Sequence, residues 1–164
     1  MVTLAKARSG RRAARRAGEG GSRTEVLAFA LGHGTYAVGI EQLAEICRPP
    51  PMTEIPRGPR NVIGVVTVRG RLVTVIDLRR VMHVEPMPIS RKSCILLVSS
   101  GTEDVGFLVD DVQEVWRLAQ EEIEPAGALG GDQPAHIVGI ARPQGAGGAT
   151  LVLLDLRPLV GSSW

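Results

Sequence analysis

Aromatic side chains are scarce in this sequence: two Phe, two Trp and one Tyr stand among 164 residues. A core of ordinary size must then be filled by Val, Leu and Ile. Cysteine is scarce too. Cys47 and Cys94 are far apart and match no metal spacing, so two buried thiols in a reducing compartment are expected. The histidines His33, His83 and His136 are scattered, which favours surface or structural roles over a metal centre. No apolar run approaches the roughly 20 residues of a membrane-spanning helix. The arginine pairs at 11–12 and 15–16 lack the apolar segment of an export signal, because Gly18-Glu-Gly-Gly-Ser22 follows them. The expected location is the cytoplasm.

Catalytic signatures are missing as well. There is no Gly-x-Ser-x-Gly elbow, no phosphate loop ending in Gly-Lys-Ser/Thr and no His-Glu-x-x-His. Asp77 and Asp155 sit at matching places in the two halves, but Leu-Arg follows each of them. An aspartic dyad needs a small hydroxyl-Gly turn there, so helix capping is the reading. The chain is expected to be no enzyme and to carry no cofactor and no metal.

Charge is present but uneven. Residues 1–23 hold seven basic side chains against Glu19 alone, a net +6, including Arg11, Arg12, Arg15 and Arg16. The other twelve basic and sixteen acidic residues leave the remainder at −4. With few large apolar groups, the tail cannot offset its ordering entropy and reads as a disordered, solubilising segment. Its second reading is an arm for nucleic acid or an anionic surface, although no aromatic interleaves the charges to stack on bases.

The strongest signal is Asn61–Arg79. Two β-branched runs meet at Arg69-Gly70-Arg71, which predicts a hairpin with Gly70 in the turn and a charged tip at Arg69. Asp77 is placed to N-cap a short turn over Leu78–Met82. Upstream, Glu25–Leu31 and Thr35–Ile40 read as strands, and Glu41–Ile46 as a bent strand or one helical turn. The prolines of 49–59 predict a surface loop or edge. Downstream, 93–99, 105–109 and 112–116 read as strands, and 120–124 as an acidic turn. A second hairpin is expected over 136–141 and 149–154.

The halves repeat. Ala37-Val-Gly-Ile-Glu-Gln-Leu-Ala-Glu-Ile46 matches Gly106-Phe-Leu-Val-Asp-Asp-Val-Gln-Glu-Val115. Val62-Ile-Gly-Val65 matches Ile137-Val-Gly-Ile140, and Val75-Ile-Asp-Leu-Arg79 matches Leu153-Leu-Asp-Leu-Arg157. Three matches in one order imply two copies of a β unit of roughly 70 residues, each suited to a small closed barrel. Arg69 has no counterpart in the second copy, so the fold alone does not demand it.

Together these segments, with Phe29-Ala-Leu-Gly32, Tyr36–Ile40, Leu43-Ala-Glu-Ile46, Ile55-Pro56, Val105–Val112 and Ile123-Glu-Pro125, resemble the CheW family of chemotaxis adaptors over about residues 24–160. The resemblance implies an all-β fold with few short helices, built as two pseudo-repeated five-stranded SH3-like β-barrels packed side by side. It divides the chain into a tail at 1–23, a CheW-like domain at 24–161 and an end at 162–164. The first barrel is expected over roughly 33–84 and the second over roughly 92–154, with terminal segments exchanged.

The resemblance also implies a non-catalytic adaptor that bridges a chemoreceptor cytoplasmic tip to the regulatory domain of a CheA-type histidine kinase. It assigns Leu43, Glu45, Arg69, Val109 and Val112 to the receptor face and Gly64 to the kinase face. Thr67 and Thr74 depart from the family's usual Asn and Pro, which bears on partner choice. Service to a motility pathway other than flagellar chemotaxis is equally open. The alternative function is a small-barrel protein that binds nucleic acid through its tail. That alternative predicts DNA affinity that falls steeply with salt and vanishes on deletion of residues 1–23; a flat salt response excludes it.

Overall fold

The computed structural model describes residues 22–144 and 147–161. Among them, eleven strands form two sheets. The five-stranded sheet contains β3 (Glu45–Cys47), β4 (Val62–Val68), β5 (Arg71–Asp77), β6 (Cys94–Ser99) and β7 (Asp104–Val109), in the order β3-β6-β7-β5-β4. The six-stranded sheet contains β1 (Arg23–Leu31), β2 (Gly34–Gly39), β8 (Asp111–Ala119), β9 (Ile123–Pro125), β10 (Ile137–Ala141) and β11 (Leu151–Leu154), in the order β8-β1-β2-β11-β10-β9. One short helix, α1, covers Leu78–Val81. The mostly-β architecture of two paired units agrees with the sequence. The short β9 adds a sixth strand to one of them.

Each sheet draws on both halves of the chain. The hairpin β1–β2, from the first half, lies in the sheet of β8–β11. The hairpin β6–β7, from the second half, lies in the sheet of β3–β5. The joints are parallel pairings: β2 runs beside β11, with Ala37 opposite Leu153, and β7 beside β5, with Gly106 opposite Val75. These four positions are two equivalent pairs of the sequence repeat, so the repeat is expressed as exchanged strands. Smaller details repeat too. β4 bulges between Val62 and Gly64, and β10 bulges between Ile137 and Gly139. Asp77 accepts a hydrogen bond from the Arg79 backbone N–H at 3.0 Å and N-caps α1 as expected. Asp155 accepts that of Arg157 at 3.0 Å in a matching side-chain turn, but the 3-10 turn over Arg157–Leu159 starts after Leu156 and has no side-chain cap.

Aliphatic packing follows from the alternation of strand faces. On β6, Ile95 and Leu97 enter the interior of the five-stranded unit with Val66, Val73 and Val75. Cys94, Leu96 and Val98 turn the other way, into a core shared with Leu27, Phe29 and Leu31 of β1 and with Phe107 of β7. On β1, Val26 and Ala28 fill the interior of the six-stranded unit. Both faces of these strands are buried, which is why they read as continuous apolar runs.

Two segments take shapes that the sequence left open or did not mark. Residues 40–46 are both a helical turn and a strand: Ile40–Gln42 form a 3-10 turn before β3. The acidic stretch 120–124 divides into a 3-10 turn at Gln120–Glu122 and the start of β9, which pairs with β10. Three residues ending in Pro carry no periodicity to read.

A buried charge group sits where the two sheets join. Arg79, in α1, is almost fully covered. Its Nε lies 3.2 Å from Asp110 Oδ1 and 3.5 Å from Asp77 Oδ1, and its Nη2 donates to the Met87 carbonyl. Asp110, between β7 and β8, also accepts the Gly32 N–H at 2.6 Å. One guanidinium therefore links the capped end of β5, the crossing between sheets and the β1–β2 turn. Replacing it with Met leaves Asp77 and Asp110 uncompensated, with only Arg80 near Asp77 as relief. Arg79→Met is expected to lower unfolding free energy by on the order of 3 kcal/mol in urea titrations; a loss below about 1 kcal/mol would show that the group does not hold the joint.

Candidate functional site: the hairpin tip and the loop over β4

The β4–β5 hairpin turns on two residues, and both have positive φ: 53° at Arg69 and 76° at Gly70. Positive φ at both central positions matches the twist of the flanking strands. For Arg69 this backbone costs about 1 kcal/mol, since a Cβ crowds the carbonyl in the left-handed region. The side chain gains a fixed partner in return. Arg69 Nε donates to Glu45 Oε1 at 2.9 Å, with the arginine side chain 64% exposed and the glutamate 12%. Glu45 stands on β3 and Arg69 follows β4, so the pair joins the two edge strands of the sheet.

A second arginine copies this arrangement. Arg71 Nη2 lies 2.7 Å from Asp104 Oδ2, with Asp104 nearly buried. Glu45 Oε2 and Asp104 Oδ1 are buried without a hydrogen-bond partner. Each acid thus sits inward under an exposed guanidinium, and the tip presents positive charge to solvent. Beside it stands Leu72, 72% exposed. The sequence reading did not single out Leu72; its place out of phase with Val73 and Val75 on β5 was the available signal.

The remaining receptor-face candidates divide. Leu43 is buried in the shared core just before β3, where the next residue, Ala44, donates its N–H to the Leu97 carbonyl at 2.8 Å. Val109 is also in that core with no exposed surface. Val112 is half-buried at its margin. Val109 pairs with Cys94, three residues along β6 from Leu97, which is opposite Glu45. The structure therefore brings Leu43, Glu45 and Arg69 together near Leu97 of β6, and sets Val109 about 10 Å further along that strand and on its other side. Arg69 and Val112 have surface to offer a partner; Val109 has none.

Gly64 lies on β4 beneath the proline-rich loop. A Cβ at this position would stand 2.6 Å from the Thr53 carbonyl oxygen and 2.7 Å from Met52 Cγ. Thr53 and Val65 exchange backbone hydrogen bonds at 2.8 and 2.9 Å, so only glycine admits the loop so close. The equivalent Gly139 is covered in the same way, by Glu124 of β9. Beside Gly64, Met52, Ile63, Met87, Pro88 and Ile89 line an open cleft of about 290 Å³. Met87 and Ile89 are exposed, as is Ile55 on the proline loop. The two prolines within 85–90 leave no periodicity in the sequence to mark these side chains as a surface.

Both cysteines are free and buried. Burial, above all, pushes each thiol up from its ordinary pKa, which keeps them protonated and poor nucleophiles. Cys47 and Cys94 face opposite sides of the β3–β6 pair, in different cores. The basic tail residues Arg11, Arg12, Arg15 and Arg16 lie outside the described residues.

Comparison with known proteins gives one consistent answer. The CheW-like domain matches residues 25–163. The chemotaxis protein CheW of Klebsiella aerogenes is 31% identical over 143 residues, which cover 84% of this chain and 82% of that protein. Protein FrzA of Myxococcus xanthus is 29% identical over 122 residues, 74% of this chain and 76% of that one. The crystal structure of the scaffolding protein TtCheW from Thermoanaerobacter tengcongensis shares the fold, with a TM-score of 0.73 at 24% identity over 87% of this chain and 97% of that one. Family, relatives and fold agree: the chain belongs to the CheW-like family.

Proposed function

We propose that this chain couples the cytoplasmic tip of a chemoreceptor to the regulatory domain of a CheA-type histidine kinase, through two surfaces of one rigid body. The receptor surface is centred on Arg69 and extends to Glu45, Leu72 and Val112. Leu43 and Val109 support it from the core. The kinase surface is the apolar cleft beside Gly64. Recruitment to receptor clusters follows from the first contact.

The observation that carries this reading is the hairpin tip. An exposed surface ion pair contributes about 0–1 kcal/mol, which is little return for a strained arginine backbone. A guanidinium held in place by a nearly buried carboxylate is instead preorganised for an acidic partner. The second copy of the repeat, which lacks this arginine, shows that the strand framework closes without it.

Arg69→Glu is expected to weaken binding to a receptor cytoplasmic fragment by about tenfold or more while the melting temperature stays within a few degrees. Exchanging the pair, Glu45→Arg with Arg69→Glu, restores internal neutrality but not the outward charge, so receptor binding should stay weak. Recovery of binding would mean that the pair serves only the fold. For the kinase surface, Met87→Ser with Ile89→Ser should reduce affinity for the regulatory domain and leave receptor binding intact. Equal kinase affinity in that variant would move the kinase contact elsewhere.

A further inference from the structure

A cleft of about 680 Å³ lies where the capping turns of the two repeats meet. Its lining pairs equivalent positions. The backbone carbonyls of Asn61 and His136 accept the backbone N–H of the equivalent aspartate of their own copy, Asp77 or Asp155, at 2.9 Å. Val81 and Leu159 each lie four residues beyond that aspartate. Arg60, Arg80 and His83 complete the polar lining, with Pro86 beside them. No acidic side chain lines the cleft. Asp77 is engaged by Arg79 and Arg80, and Asp155 by Arg157; Glu85, next to Pro86 in sequence, is exposed and outside the lining.

Of the four basic side chains in this lining, only Arg80 is used by the fold among the described residues. Arg80 donates through Nη1 to the Arg60 carbonyl at 2.9 Å, but the side chains of Arg60, His83 and His136 make no hydrogen bond or ion pair with the described residues. The positive φ of 58° at His83 belongs to the end of α1, where the His83 and Val84 N–H groups donate to the Arg80 and Arg79 carbonyls in a left-handed helix cap.

We propose that this cleft binds the phosphate group of a small phosphomonoester. Two arginines, two histidines and an asparagine line one space, and a tetrahedral oxyanion can accept from several donors at once, where a carboxylate offers two oxygens. Val81, Pro86 and Leu159 give an apolar wall for the organic part, and the volume suits a small molecule. Burial and then the His83 charge hold the His136 imidazole below its ordinary pKa. An anion lodged between the rings reverses the sign of that local field and favours their charged forms.

The test is an NMR titration of the three imidazoles with and without saturating O-phosphoserine or inorganic phosphate, against sodium chloride at matched ionic strength. The expected result is a rise of about one pKa unit at His83 and His136, with His33 in the β1–β2 turn unmoved. Arg60→Gln should weaken the phosphate affinity by about tenfold with an unchanged melting temperature. Stronger binding of O-phosphoserine supports the phosphomonoester, and equal binding confines the site to the phosphate group. Equal shifts with chloride, equal shifts at His33, or no saturation with either phosphate would overturn the proposal.

Discussion

The structure depends on an exchange of hairpins. Each sheet is completed by two strands from the other half of the chain, joined through the parallel pairs β5–β7 and β2–β11. A sheet deprived of its guest hairpin loses its central strands. The same guest strands turn their other faces into the shared core, so hydrogen bonding and apolar burial bind the halves together. Two units of this kind cannot rearrange independently without breaking ladders. The spacing between surface segments of the two halves is then set by the core.

Charge is distributed on the same plan. At the joint, Arg79 is buried among Asp77, Asp110 and a backbone carbonyl, where its loss would strand two acids. At the hairpin tip, Arg69 and Arg71 stand outside, each over a nearly buried acid. The first arrangement tethers elements. The second displays positive charge at a defined position and leaves the scaffold otherwise unaltered. Surfaces of this sort suit recognition, and neither cysteine provides an activated nucleophile, since burial keeps both thiols protonated.

Much of this was legible in the sequence. The β-branched runs, the Arg69-Gly70 turn and the capping role of Asp77 are local events, governed by backbone sterics and neighbouring groups. The repeat was legible because both copies meet the same local demands, down to a glycine at each bulge. The family resemblance put Arg69 and Glu45 on one face, and the fold brings their side chains into direct contact.

What only the tertiary structure decided is which copy's strands complete which sheet, and therefore which side of each residue meets water. Val75-Ile-Asp-Leu-Arg79 and Leu153-Leu-Asp-Leu-Arg157 are nearly the same string, and each aspartate accepts the backbone N–H two residues on. Yet Arg79 is buried under the segment around Met87, while Arg157 is exposed and folds back on its own Asp155. Val109 and Leu72 differ likewise: both are aliphatic and on strands, but one is in the core and the other in solvent. Periodicity specifies that a strand has two faces. The burial of each face depends on segments distant in the chain, and no local pattern encodes where those will lie.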